Sequence, residues 1–152
     1  MHRLLEWAPL GAHTCPDAQV HQVAHEFALD AQQASQAAAM AQCILNGEGA
    51  WAWDANQIDW HGNEVALTVA GSTRRIDRLV YRKPLAVGDA AQGDVGGTWW
   101  VLDYKSATHT LDQPTLLAQL INYRDAVQSI YPGQTVKAAF LSAQGTLDEL
   151  SE

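Results

Sequence analysis

The stretch Trp99-Trp100-Val101-Leu102-Asp103-Tyr104-Lys105 decides how the rest of the chain is read. Four apolar residues lead into two opposite charges. Side chains alternate along a strand, so Asp103 and Lys105 share one face and Tyr104 takes the other. The run is the length of a core strand, here Thr98 to Ser106, with a carboxylate and an ammonium at its mouth. A D-x-K pair alone is weak evidence of chemistry, because a structural ion pair has the same pattern. What surrounds it must decide.

Working outward, Pro84 and four glycines fill residues 82–97 and predict a long hairpin connection. Before it lie two alternating segments, Glu64 to Val69 and Arg75 to Tyr81, joined at a Gly71-Ser72 turn. After Lys105, Asp112 is placed to cap a helix with Pro114 in its first turn. Leu116, Leu120, Tyr123, Val127 and Ile130 form that helix's apolar stripe, and Pro132-Gly133 ends it. Val136 to Ser142 is a last strand before a polar, acidic tail. A helix between two strands predicts a crossover to a parallel neighbour.

The first third is helical in character. Pro16-Asp17 starts a helix in which Val20, Val23 and Phe27 keep helical spacing; the Ala/Gln-rich residues 30–46 form another, stopped by Asn46-Gly47. Residues 47–62 read as irregular, with Trp51, Trp53 and Trp60 covering the core. The predicted order is α-α-β-β-β-α-β, an α/β domain whose mixed sheet of about four strands is flanked by helices. The boundaries are a helical segment over 1–47 and an α/β core over 64–142, in a single domain spanning 1–152. His2 to Trp7 is helical from the first residue without a cap, so the domain is expected to be a piece of a larger polypeptide.

The net charge of −8 argues against strong, purely electrostatic binding of nucleic acid. Five of the nine basic residues nonetheless fall in one segment: Arg74, Arg75, Arg78, Arg82 and Lys83. That local patch permits contact with phosphates, although a solvated strand face explains any one of them equally well. Cys15 and Cys43 form no CxxC pair and read as reduced thiols. There is neither a signal peptide nor an apolar run long enough to span a membrane, so no membrane partner is expected. His21 and His25 have the four-residue spacing of zinc ligands on a helix, but no glutamate completes an H-E-x-x-H pattern and no third ligand is apparent.

Asp77 changes the weight of the D-x-K pair. It sits on the strand expected to run antiparallel to Asp103, and two converging carboxylates are costly without a cation between them. Oxygen ligands with room for water suit Mg²⁺ or Mn²⁺. Such an ion polarises a phosphate and activates water, and Lys105 would orient or deprotonate that water, or stabilise charge on the phosphate. Gln119 and Tyr123, four residues apart, share one side of the following helix.

These segments resemble a known family. Gly71 to Val80, ending in Ile76-Asp77-Arg78-Leu79-Val80, is similar to the G…IDRLV segment of RecB-type nuclease domains. Val101 to Ser106 is similar to their LLDYKS segment, and Gln119 to Tyr123 to their Q-x-x-x-Y helix. His2-Arg3-Leu4-Leu5-Glu6 resembles the helix that supplies a histidine ahead of the site. The chain thus resembles the PD-(D/E)xK superfamily, in the form found at the C-terminus of AddA and other UvrD-like helicase-nucleases, from residue 2 to about residue 147.

The resemblance implies a restriction-endonuclease-like core and a Mg²⁺- or Mn²⁺-dependent deoxyribonuclease acting in double-strand-break repair and recombination. It implies that His2, Asp77, Asp103 and the Tyr104 carbonyl hold the metal, that Lys105 is catalytic, and that Gln119 and Tyr123 support the site and meet the DNA. Arg75 and Arg78 are candidate DNA contacts, and Glu64 stands where relatives often keep a glutamate. The implied partners are single-stranded DNA and a helicase, in the same parent chain or a partner subunit, because this sequence has no P-loop. The implied location is the bacterial cytoplasm, at the nucleoid. The competing expectations are a DNA-binding or scaffold module that kept the fold without the chemistry, and a protein unrelated to nucleic acid whose acidic strand ends hold a structural metal.

Overall fold

A computed structural model describes residues 1–84, 96–107 and 109–151. The core of the predicted hairpin connection, residues 85–95, lies outside the described residues. The helices are α1 (His2–Trp7), α2 (Asp17–Glu26), α3 (Ala31–Leu45) and α4 (Pro114–Ile130). The strands are β1 (Ile58–Val69), β2 (Ser72–Arg82), β3 (Thr98–Lys105), β4 (Thr135–Ser142) and β5 (Leu147–Glu149). They form one mixed sheet in sequence order. β1, β2 and β3 are antiparallel neighbours, β4 runs parallel to β3 through the α4 crossover, and β5 returns antiparallel to β4.

The sheet separates two cores. On one face, Trp100, Leu102 and Tyr104 of β3 pack with Leu4 and Leu5 of α1, Val23 of α2 and Ala37, Ala41 and Ile44 of α3. On the other, Trp99 and Val101 pack with Val136, Ala138 and Phe140 of β4 and with Leu120 and Val127 of α4. The alternation of β3 assigns these residues to opposite faces, so both tryptophans are buried. Among the described residues no helix is long and apolar enough to cross a membrane.

Several expectations are corrected. The sheet has five strands rather than four. β1 begins at Ile58, within the segment read as irregular, because its pairing with β2 continues out to Arg82. β5 forms in the polar tail because Ala139–Leu141 offers it an edge. Three helices precede the sheet, because the short His2–Trp7 helix, expected from the sequence but left out of the predicted order, stands ahead of the other two. Asp112 belongs to a short 3₁₀ turn, and α4 is capped at Gln113 without a side-chain bond. α3 instead carries a capping box, in which Asp30 accepts from the Gln33 N–H while the Gln33 side chain accepts from the Asp30 N–H. Trp60, Ile130 and Phe27 are 46%, 45% and 53% exposed, so none of the three fills the core.

Candidate active site

The site forms where β2 and β3 part. Their pairing ends at Arg78 opposite Leu102, and β1 pairs Asn63 with the same Arg78. The next step of that register brings Glu64, Asp77 and Asp103 level across three adjacent strands. The ladder bonds do not continue through this row. Instead, the Asp77 carboxylate accepts the Tyr104 backbone N–H at 2.8 Å, taking the place of a main-chain acceptor. The strand also turns here. Ile76 and Arg78, two residues apart, would share a face in a regular strand, yet Ile76 packs on the α4 side and Arg78 stacks on Trp53 on the other. Glu64, opposite, has a left-handed backbone with φ of 50°, a strained conformation for a non-glycine residue in a strand.

α1 brings His2 to the row. Its Nε2 lies 3.2 Å from Asp77 Oδ2, and its ring meets the edge of Tyr104. The Tyr104 ring is buried and stacks on Trp53. Lys105 Nζ lies 3.2 Å from Asp103 Oδ2, an oxygen that is buried yet receives no well-aligned hydrogen bond. On the α4 side, Gln119 Nε2 donates to the Tyr123 hydroxyl at 3.0 Å. The charges of Asp103 and Asp77 act on that hydroxyl, which burial and those carboxylates together push up.

The electrostatics divide the two aspartates. Burial drives Asp77 upward, but hydrogen bonds from His2, Asp103 and the Tyr104 N–H outweigh it and hold the carboxyl below its ordinary value. Asp103 is pushed up to about 7, first by burial and then by proton sharing with Asp77 and its charge, with Lys105 offsetting only part. The hydrogen bond to Asp77 raises His2 against the opposing effect of burial. Glu64 is raised by burial and by the charges of Asp77 and Glu6. Burial and the neighbouring carboxylates therefore disfavour the charged forms of Asp103 and Glu64.

No protein-family model matches this chain, and no curated protein matches it in sequence.

Among the described residues, no three His, Cys, Asp or Glu side chains are already gathered around one point. Asp77 is turned toward His2 and Asp103 toward Lys105. The donor set still suits a hard divalent cation: carboxylate oxygens, one of them buried without a hydrogen bond, beside an imidazole nitrogen. Asp77, Asp103 and His2 are the residues whose chemistry would suit such an ion.

Arg78 is corrected. It is fully buried and does not stand on a solvated strand face. Its Nε and Nη2 donate to the Ala52 carbonyl at 3.2 and 2.7 Å, and its Nη1 donates to Asn63 Oδ1 at 2.7 Å. Asn63 passes the connection on by donating to the Glu6 carbonyl at the end of α1. The residue expected to touch DNA instead fastens β2 to the segment that carries His2. Sequence reasoning missed Asn63, which no motif marks. Arg75 remains exposed.

A surface hollow of about 740 Å³ between α4 and the β4–β5 edge lies away from the carboxylate row. Its charges pair internally, Arg124 with Asp125 and Lys137 with Glu149. The chemistry borders a smaller cleft of about 240 Å³, lined by His2, Arg3, Glu6, Phe27, Glu64 and Arg75.

Proposed function

We propose that this protein is a metal-dependent deoxyribonuclease with a restriction-endonuclease-like core, hydrolysing phosphodiesters of single-stranded DNA. The observation that carries the reading is the meeting of Asp77 with Asp103 where β2 and β3 part, with Lys105 against Asp103 and His2 against Asp77. The resemblance of the surrounding segments to RecB-type nuclease domains supports it. So does the mixed sheet, in which α4 carries Gln119 and Tyr123 to the Asp103 side.

Asp77, Asp103 and His2 would hold Mg²⁺ or Mn²⁺, with the Tyr104 carbonyl as a further donor. Such an ion, when bound, would supply polarisation of the phosphate and a water of lowered pKa. Lys105, positioned by Asp103, would orient a water for attack on phosphorus opposite the leaving oxygen, and its ammonium would stabilise the charge that develops. Hydrolysis forms one P–O bond to the water oxygen and breaks one to a sugar oxygen. Gln119 and Tyr123 flank the strand. A helicase in the parent polypeptide or a partner subunit would feed that strand during double-strand-break repair, in the bacterial cytoplasm.

The test is cleavage of labelled single-stranded DNA in Mn²⁺ and in EDTA, by the wild type and by Asp103→Ala and Lys105→Ala. Cutting that needs the metal and vanishes in both variants is the expected result. Undiminished cutting by either variant would sink the assignment. DNA binding by the wild type without any cutting, even in Mn²⁺, would favour a binding module that kept the fold without the chemistry.

A further inference from the structure

The cleft beside the carboxylate row contains an exposed aromatic side chain that neither the core nor the hydrolytic chemistry uses. Phe27, at the end of α2, is 53% exposed and forms a wall of the cleft shared with His2 and Arg75. An aromatic ring left in water forgoes the free energy its burial would yield. Its backbone is nevertheless firmly held. The Leu29 N–H donates to the Ala24 carbonyl at 2.8 Å and the Ala28 N–H to that of His25, closing a Schellman motif around the residue. That motif requires a left-handed residue, and Ala28 supplies it at φ of 53° without the freedom of glycine. Arg3 adds a tie by bonding Glu26 at 2.9 Å, which fixes the end of α2 to α1. The ring is thus exposed on a backbone that is held in place, next to the helix that delivers His2.

We infer that Phe27 is a stacking platform for an unpaired base next to the phosphate being cleaved, with Arg75 holding a neighbouring phosphate. This rests on the nuclease reading for the identity of the site and adds the contact that selects single strands. The face of a paired base is covered by its neighbours in a duplex, whereas an unstacked base offers it to an aromatic ring. Arg3 is committed to Glu6 and Glu26, which leaves Arg75 as the cleft's cation for a phosphate. Glu6 and Glu64 line the same cleft, and the chain carries a net charge of −8. Phosphate attraction is correspondingly weak here, so affinity must come largely from contacts that do not depend on charge. Stacking is such a contact.

The test measures binding by fluorescence anisotropy in Ca²⁺, using the full chain. The probes are a labelled oligothymidylate and an abasic backbone with the same number of phosphates. Phe27→Ala should weaken oligothymidylate binding by about 5- to 150-fold and leave the abasic backbone unaffected. Phe27→Tyr, which keeps the ring, should retain the wild-type affinity and thereby show that the loss is not misfolding. Arg75→Ala should weaken both probes. Unchanged affinity in Phe27→Ala, equal loss on both probes, or a wild type that binds neither would each overturn the platform. Metal-dependent cutting together with unchanged Phe27→Ala affinity would remove the platform and leave the nuclease standing. The expected binding pattern in a chain that cuts nothing would support the platform and remove the nuclease.

Discussion

Asp77 Oδ2 accepts the backbone N–H of Tyr104 at 2.8 Å, across the point where two antiparallel strands stop pairing. A carboxylate of the proposed site therefore also does the work of a main-chain acceptor. The two roles separate by substitution. Asp77→Asn keeps an oxygen for the N–H, while Asp77→Ala leaves a partly buried donor unpaired. In urea denaturation without metal, the Ala variant should be less stable than the Asn variant by about 1–2 kcal/mol. Calorimetry should show Mn²⁺ binding weakened at least tenfold in both, since both lose the charge. Equal stability of the two would mean that water replaces the carboxylate.

Asp103 makes metal-free stability depend on pH. Its folded value of about 7 stands well above that of an unfolded aspartate, about 4. Between those values the folded state binds more protons than the unfolded state, so stability falls as pH rises through this window. The penalty is absent below about pH 4 and complete above about pH 7. Asp103→Asn should remove it. In EDTA the variant should melt above the wild type at pH 7, with the difference shrinking toward pH 4. Mn²⁺ should stabilise the wild type only. Parallel melting curves for the two proteins across this range would contradict the account.

Arg78 and Arg75 lie three residues apart on β2 and should behave oppositely. Arg78→Ala strands the Ala52 carbonyl and Asn63 and frees the tie to α1, at a cost of about 2–4 kcal/mol. The salt dependence of its DNA binding should match that of the wild type, measured below the variant's melting temperature. Arg75→Ala should leave stability within about 0.5 kcal/mol and flatten the salt dependence by close to one phosphate contact.

Ala28 carries the strain of the turn that holds Phe27. Ala28→Gly should raise stability by about 0.5–1 kcal/mol, because relief of the left-handed strain exceeds the added freedom of the unfolded chain. Urea midpoints with an unchanged m-value would show it. A loss of stability would mean that the turn is not left-handed in solution.

The amino-acid sequence by itself determined the layout around β3. The alternation from Trp99 to Lys105 assigns side chains to faces because strand geometry is local, and Leu120 and Val127 mark the buried side of α4 for the same reason. The antiparallel placing of Asp77 near Asp103 also follows from local signals, the turns and the order of strands. Only the tertiary structure decided which cation does what. Arg75, Arg78 and Arg82 look alike in a basic segment, but the turn of β2 at Asp77 sends Arg78 inward onto Trp53 and leaves Arg75 outside. Periodicity cannot report that turn, because it lies opposite Glu64, whose backbone is left-handed within the partner strand. Phe27 is the same case in reverse. Its spacing from Val23 reads as core, but α2 ends beneath it, and the residue that helical periodicity would bury is carried past the edge of the core into the cleft beside His2.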